Sequence, residues 1–406
     1  MKKLNRIVKL FILNILILFI FFTKYNKYDF EKHLIRYLKF HTKQININNY
    51  EERLFTSIKY IEFLKESKHN IYFQKVNHPK VTFVTTLYNQ ENYLYNYIFS
   101  IQNQKLKEYE LLFVDDFSLD NGTKTITDLQ KKDERIKLIK NKKNMGTLYS
   151  RYIGQLNAKA DYIIFTDCDD FVMENGIINS YQYAKKNNID IIQFHIVRQE
   201  KNNIFISNFC NYFKQTINQP YLSYAHYYDF KNKKGYEYNY ALWNKLIKRN
   251  IVNKAFKWIG ENYLKEKIVI HNDLIVLFSL LRNANSYKYI DEIGYYYYKI
   301  NKNSISNSWQ NLTKSNNILH SCFVIIKFLY EKTDNNYLDK LFSIYKVENF
   351  YNVYNHLYKY LNDKEVAFIT GILNKLIDSD YISIKDKSYI IMVKSIILKK
   401  VENHED

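Results

Sequence analysis

Cysteine, glycine and proline are scarce in this chain of 406 residues, and each shortage removes a class of protein. The three cysteines, Cys168, Cys210 and Cys322, show no CxxC spacing. They make neither a disulfide framework nor a zinc site of the usual kind, and at most one bridge, Cys210 to Cys322. Only eight glycines and two prolines accompany an excess of Lys, Asn, Ile and Tyr, a skew that A+T-rich coding alone produces. Acids are also few, 41 against 60 bases, for a formal charge of +19. That charge attracts polyanions, from an acidic membrane face to a nucleotide diphosphate, although part of it is compositional bias on solvated faces. No basic run with interleaved aromatics marks a nucleic-acid groove, so nucleic acid is not expected as a partner. Internal repeats are absent. Apolar residues are not lacking: 47% of the chain is hydrophobic and 17% aromatic, enough to bury a core against its ordering entropy. The length predicts two folded units plus accessories.

The apolar run Leu10 to Phe22, LFILNILILFIFF, follows Lys2, Lys3, Arg6 and Lys9. No small-x-small cleavage site comes after it, which favours an uncleaved signal anchor over residues 1–23. From Ile7 to Thr23 it counts about 17 residues, the short end for a span and suited to thin early-secretory membranes. The expectation is a single-pass protein of endoplasmic reticulum or Golgi type with its body in the lumen, though Lys24, Lys27 and Lys32 weaken the charge asymmetry that orients it. Asn121-Gly122-Thr123 and Asn311-Leu312-Thr313 are glycosylation sequons in that setting. Residues 24–78, polar and aromatic with patchy helical spacing, read as a stem.

A body spanning 79–314 follows, in which short apolar strands alternate with helical stretches. Strands are predicted at Val81 to Thr86, Glu110 to Val114, Ile136 to Ile139, Tyr162 to Thr166 and Asp190 to Phe194. Helices are predicted after Asn89, near Lys124 to Lys132, near Leu148 to Ala158 and near Ile177 to Lys186. Strand, helix, strand at this period means an α/β fold, a doubly wound, mostly parallel sheet with right-handed crossovers. From about Ser315 the pattern is helical, with Phe323, Ile326, Phe328 and Leu329 on one stretch, so 315–406 reads as a helical subdomain.

Ligands of such sheets bind beyond the carboxyl ends of the strands. There the chain places Thr85 to Asn89, then Asp115 to Ser118, then Asp167, Cys168, Asp169 and Asp170. Turn and cap roles account for any one of these ends. Three carboxylates in four residues are harder to explain that way, because they repel one another unless a cation lies between them. Mg²⁺ or Mn²⁺, which prefer oxygen ligands and keep substrate phosphates among them, fit Asp167 and Asp169. An acidic cap for the next helix is the alternative.

VTFVTTLYNQENYL, ELLFVDDFSLDNGT and NMGTLYSRYIGQLNAKADYIIFTDCDD, in that order and spacing, resemble the three blocks of the family 2 glycosyltransferases of GT-A fold. ALWNKLIKRNIV, IHNDLIVLFSLL and GYYYYKINKNSIS extend the resemblance to Ser306. It implies a Rossmann-like sheet and a nucleotide-diphospho-sugar donor, with a glycan, lipid or protein as acceptor. Thr86, Tyr88 and Asp116 would cradle the nucleotide, Asp116 accepting from the uracil ring N–H, with Glu91 in the same loop. Arg151 would lie toward the diphosphate. Asp167 and Asp169 would hold ribose and metal, and Asp273 would be the general base of an inverting transfer.

Three departures stand out. Asn272-Asp273 replaces the family's Glu-Asp, Phe117 replaces a Gly, and Lys299 stands where Arg is common. Cys168 is then the variable middle of Asp-x-Asp, His271 a loop residue, and Trp243 with Tyr295 to Tyr298 core in preference to a sugar-stacking surface. A non-catalytic, membrane-tethered relative that only binds a nucleotide sugar is an alternative. A nucleotidyltransferase would want a Gly-rich, basic loop after the first strand, which Thr86 to Glu91 does not supply.

Overall fold

The structure, a computed structural model, describes residues 47–66, 76–200, 203–207, 217–218 and 241–298, together with 363–378 and scattered positions between 320 and 395. The apolar run at 10–22, the rest of the segment read as stem, Cys210, Cys322, Lys299 and the second sequon lie outside these residues, as do Phe323, Ile326 and Leu329. Among the described residues no helix is long and apolar enough to cross a membrane.

The body opens as a βα ladder: β1 (Val81–Leu87), a 3-10 turn (Glu91–Tyr93), α2 (Leu94–Gln102), β2 (Tyr109–Asp115), α3 (Gly122–Gln130), β3 (Ile136–Lys140), α4 (Thr147–Asn157) and β4 (Tyr162–Asp167). Before it lies α1 (Ile47–Glu66). β1 and β2 are buried almost throughout, as their near-continuous apolar runs require of parallel strands covered on both faces. β1 lies between β2 and β4, and β2 pairs with β3, all parallel. Register places Thr86 beside Val114 on one flank and Asp167 on the other, so the chemistry-bearing strand ends stand side by side.

After β4 come β5 (Phe171–Val172), α5 (Gly176–Asn187), β6 (Ile191–Glu200), β7 (Asn203–Ser207), β8 (Ile217–Asn218), β9 (Lys245–Lys248), α6 (Arg249–Ile259), α7 (Glu261–Leu264), α8 (Asn272–Asn283) and β10 (Ser286–Tyr298). Here the expectation of a mostly parallel sheet needs correction. The strand order is β3-β2-β1-β4-β9-β6-β10-β5, and β9 enters between β4 and β6 antiparallel to both. β5, β7 and β8 also pair antiparallel, and only β6 with β10 restores parallel pairing. β9 is supplied by a segment some fifty residues downstream of β6, and a strand returning from that distance carries no local constraint on its direction.

The doubly wound character holds. Alternate residues of the strands divide between two cores: Val84, Ile163, Phe165, Ile191 and Ile247 pack under α4, α6 and α8, while Phe83, Leu111, Phe113, Ile164 and Ile192 pack under α2, α3 and α5. Gly154 lets α4 sit directly on β1, since a Cβ there would meet Val84 Cγ1 at 2.2 Å. A third, smaller core holds α1, whose Ile61 and Leu64 are buried against Phe99, Phe171, Met173 and Tyr296. Arg53 of α1 also pairs with Asp291 of β10 at 2.6 Å. Part of the segment read as a stem is thus docked on the body. α9 (Asp363–Ile377) and Val324, Ile325 and Phe328 join the core under α6 and α8.

Candidate active site

β1, β2 and β4 deliver three polar turns to one edge of the sheet. The first two are tied together. Asn89 N–H donates to Ser118 Oγ (3.0 Å), Leu119 N–H to Asn89 Oδ1 (2.8 Å), Glu91 N–H to Asp120 Oδ2 (2.8 Å) and Asn121 N–H to Glu91 Oε2 (3.0 Å). Glu91 lies on the turn after β1, and its carboxylate binds the turn after β2. Asn89 and Phe117 both adopt left-handed backbone, φ 53° and 69°. For Phe117 this explains why a glycine would suit the position. Tyr88 and Phe117 stand half-exposed on these adjoining turns, 48% and 49%.

Asp116 is buried, and three donors reach its carboxylate: Asn141 Nδ2 and Met145 N–H at Oδ1 (both 2.8 Å), and Gly146 N–H at Oδ2 (2.7 Å). A carboxylate offers about four acceptor positions, so roughly one remains for a ligand. Asp116 thereby shapes the Asn-x-Gly loop that launches α4, where Gly146 takes φ 88°. Asn141, which also donates to Ser150 Oγ, has no signal in the sequence.

Arg151 is the hub. It projects from α4, is buried, and donates to Asn272 Oδ1 (2.5 Å) and to Asp273 Oδ1, while its other terminal nitrogen lies 3.7 Å from Asp167. Burial opposes its charge, but Asp273 and Asp167 hold the guanidinium above its usual range. Asp167 thus has a compensating cation after all, brought from another element. Burial, with Asp169 and Asp273 nearby, nevertheless pushes the Asp167 carboxyl up to about 7 in spite of Arg151. The cluster carries more negative charge than one guanidinium neutralises. Asp273 stands in the first turn of α8, one fifth exposed (21%), and His271 caps that helix in left-handed backbone, φ 54°. Burial lowers the His271 pKa, favouring the neutral ring.

Behind the Asp167–Asp170 turn stands Tyr295. Its hydroxyl accepts from Asp167 N–H (3.1 Å) and donates to Asp170 Oδ2 (2.8 Å), and Asp170 Oδ1 accepts from Tyr298 N–H (2.8 Å). Trp243 stacks on Tyr295 and Tyr297 at 5.1 and 5.3 Å, so the aromatic run is a buttress of the acidic turn and not an open sugar platform. Cys168 is buried with its sulfur 3.8 Å from Thr86 O, and burial pushes its thiol well up, so it is no thiolate. The turn brings Asp167, Asp169, Arg151, Asn272 and Asp273 together, with Thr86 on the neighbouring strand.

Residues 82–256 match the model of glycosyl transferase family 2. That segment is a family 2 glycosyltransferase domain. The family 2 domain is similar to the poly(ribitol-phosphate) beta-N-acetylglucosaminyltransferase TarP of Staphylococcus aureus, 35% identical over 28% of this chain and 35% of that protein. A cholesterol galactosyltransferase of Borreliella burgdorferi is 25% identical over 69% of this chain and 77% of its own length. The chain thus spans about a third of the first relative's length. Among solved structures, S. aureus TarS 1–349 in complex with UDP superposes with a TM-score of 0.50 at 15% identity, covering 79% of this chain and 88% of that one. That likeness concerns the fold.

Proposed function

We propose that the protein transfers a sugar from a UDP-sugar to an acceptor hydroxyl with inversion, Asp273 serving as general base. The observation that supports this reading most is the Arg151 hub, which holds Asp167 at the end of β4 and Asp273 at the start of α8 within reach of one substrate. UDP as the nucleotide follows the TarS complex, whose fold this chain shares. Thr86, Tyr88, Glu91 and Asp116 line the nucleotide side. Asp167 and Asp169 fit a divalent ion in kind: oxygen donors in surplus negative charge. No group of three such side chains able to hold a metal occurs among the described residues, so substrate oxygens would complete the shell. When bound, Mn²⁺ or Mg²⁺ supplies neutralisation of the charge developing on the diphosphate.

The protein's own groups do the rest. The acceptor oxygen bonds to the anomeric carbon as the carbon–phosphate oxygen bond breaks, and UDP departs with the electron pair. Asp273 takes the acceptor proton. Arg151 aims that carboxylate by donating to its Oδ1. Asn272 lacks the charge of the family's Glu, but its Oδ1 accepts from Arg151 and so performs the orienting part. The run at 10–22 is proposed as a membrane anchor, 79–314 as the catalytic domain and 315–406 as a helical region serving acceptor recognition or assembly. The acceptor is a glycan, lipid or protein hydroxyl.

UDP release from a panel of UDP-sugars, with acceptor arrays and with Mn²⁺ or EDTA, tests the reading. Metal-dependent UDP release with transfer supports it. Binding of UDP without turnover identifies a non-catalytic relative, and pyrophosphate release from UTP identifies a nucleotidyltransferase.

A further inference from the structure

Lys245 of β9 is a fully buried cation that the reading above leaves unused. Its Nζ donates to Ala241 O (2.6 Å) and to Asn244 Oδ1 (2.8 Å), and its own N–H donates to Leu242 O (3.2 Å). One residue thereby closes the turn at 241–244. Stability alone does not account for it. Taking an ammonium out of water is costly, and a well-packed apolar side chain is often at least as stabilising in its place. Asn244 Nδ2, buried in the same turn, has no hydrogen-bond partner among the described residues, which adds to the cost.

What the turn carries is Trp243. That indole lies nearly parallel to Tyr295 and Tyr297, at 12° and 10°. Tyr295 in turn accepts from Asp167 N–H and donates to Asp170 Oδ2, one bond at each end of the acidic turn. The three carboxylates of that turn repel one another and press it open. A clasp at both ends resists this only while the tyrosine ring stays in place, and Trp243 covers the ring. β9 pairs with β4 at Tyr162 and Ile163, so the turn that carries Trp243 is mounted beside the strand that ends in Asp167. A continuous line of contacts runs from Lys245 through Trp243 and Tyr295 to the acids.

We propose that Lys245 is a positioning residue for the acidic turn, fixing Trp243 so that the Tyr295 hydroxyl holds the turn in its metal-binding shape; the proposal rests on the metal-assisted, nucleotide-sugar reading above. Lys245 itself touches neither substrate nor metal in this role. Its removal acts as the loss of any outer partner of a metal ligand does, by loosening the ligand and not by deleting it.

Calorimetric titration of Mn²⁺ into the full chain in excess UDP, with urea unfolding of each variant alongside, is the test. Lys245→Met removes the ammonium at similar length and should weaken Mn²⁺ binding roughly 10- to 100-fold. Lys245→Gln keeps a donor in the turn and should lose less. Tyr295→Phe, which deletes the clasp and keeps the ring, should match Lys245→Met. Because both act through one hydroxyl, the double variant should stay within about two-fold of Tyr295→Phe alone, whereas independent residues would multiply their losses. Wild-type Mn²⁺ affinity in folded Lys245→Met, or multiplied losses in the double variant, refutes the positioning role. So does failure of both Lys245 variants to fold, which makes the residue a structural one. If wild type binds neither UDP nor Mn²⁺, the nucleotide-sugar reading itself fails and takes this role with it.

Discussion

The two halves of the sheet do different work. From β1 to β4 the strands are parallel, each return is a helix, and every strand end carries a polar turn. From β5 to β10 the pairing is mixed, β9 arrives from far along the chain, and aromatic side chains take the place of polar turns. The first half brings the groups proposed for the nucleotide and metal. The second brings Asp273 and the Tyr295 buttress. Arg151 is the seam: it belongs to the first half and bonds to Asn272 and Asp273 of the second. Binding chemistry can thus be assembled by local βα units, whereas a base that must face it has to come from elsewhere.

The comparison breaks most visibly at Asp273. Asp273→Asn should lower turnover roughly 10²- to 10⁴-fold while UDP affinity in Mn²⁺ is retained, because a base acts in the transition state and not in donor binding. Transfer at the wild-type rate would place the base outside α8 and cut the second half out of the chemistry.

At the seam, Arg151→Met leaves Asp167 and Asp273 facing each other without their cation. Breaking a buried pair costs about 3–5 kcal/mol, and the 34% and 21% exposure of the two acids brings the expected loss to the low end, about 3 kcal/mol in urea unfolding. Adding Asp273→Asn should recover part of that loss, as coupled residues are not additive. An unchanged urea midpoint in Arg151→Met would mean that the halves are not held together there.

Within the first half, Gly154→Ala drives a methyl to 2.2 Å from Val84 Cγ1 and should cost about 1–3 kcal/mol by overpacking. Gly371→Ala, in α9 with open space around it, should gain a few tenths to about 1 kcal/mol from helix propensity. Thermal unfolding of the pair measures how tightly α4 is bound to β1.

The smallest effect is a proton linkage at Asp167. Its carboxyl, raised to about 7, holds a proton in the folded protein over a range in which the unfolded chain, with a value near 3.8, does not. This group therefore favours the folded state below about pH 4 and loses that contribution as pH rises through 7. Metal needs the carboxylate, so Mn²⁺ affinity should climb up to about ten-fold per pH unit from 6 to 7 and level off above. A flat calorimetric profile from pH 6 to 8 would take Asp167 out of the metal shell.

Every strand and helix from Val81 to Asn187 except the two-residue β5 could be read from the sequence, because each is a short apolar run bounded by turn residues and its partner is the next unit along the chain. The acidic cluster at Asp167–Asp170 was equally legible, since three like charges in four residues are anomalous in any fold. What sequence could not set was the direction of β9, the docking of α1 through Ile61 and Leu64, and the partners of the acids. Asp167 is answered by Arg151 sixteen residues back in the chain, Asp170 by the Tyr295 hydroxyl 125 residues on, and Asp116 by the amides of Met145 and Gly146. Side-chain type, periodicity and repulsion between neighbours are properties of adjacent residues and act before folding. Which donor meets which acceptor depends on strands that become neighbours only once the sheet has closed, and tertiary structure alone decided it.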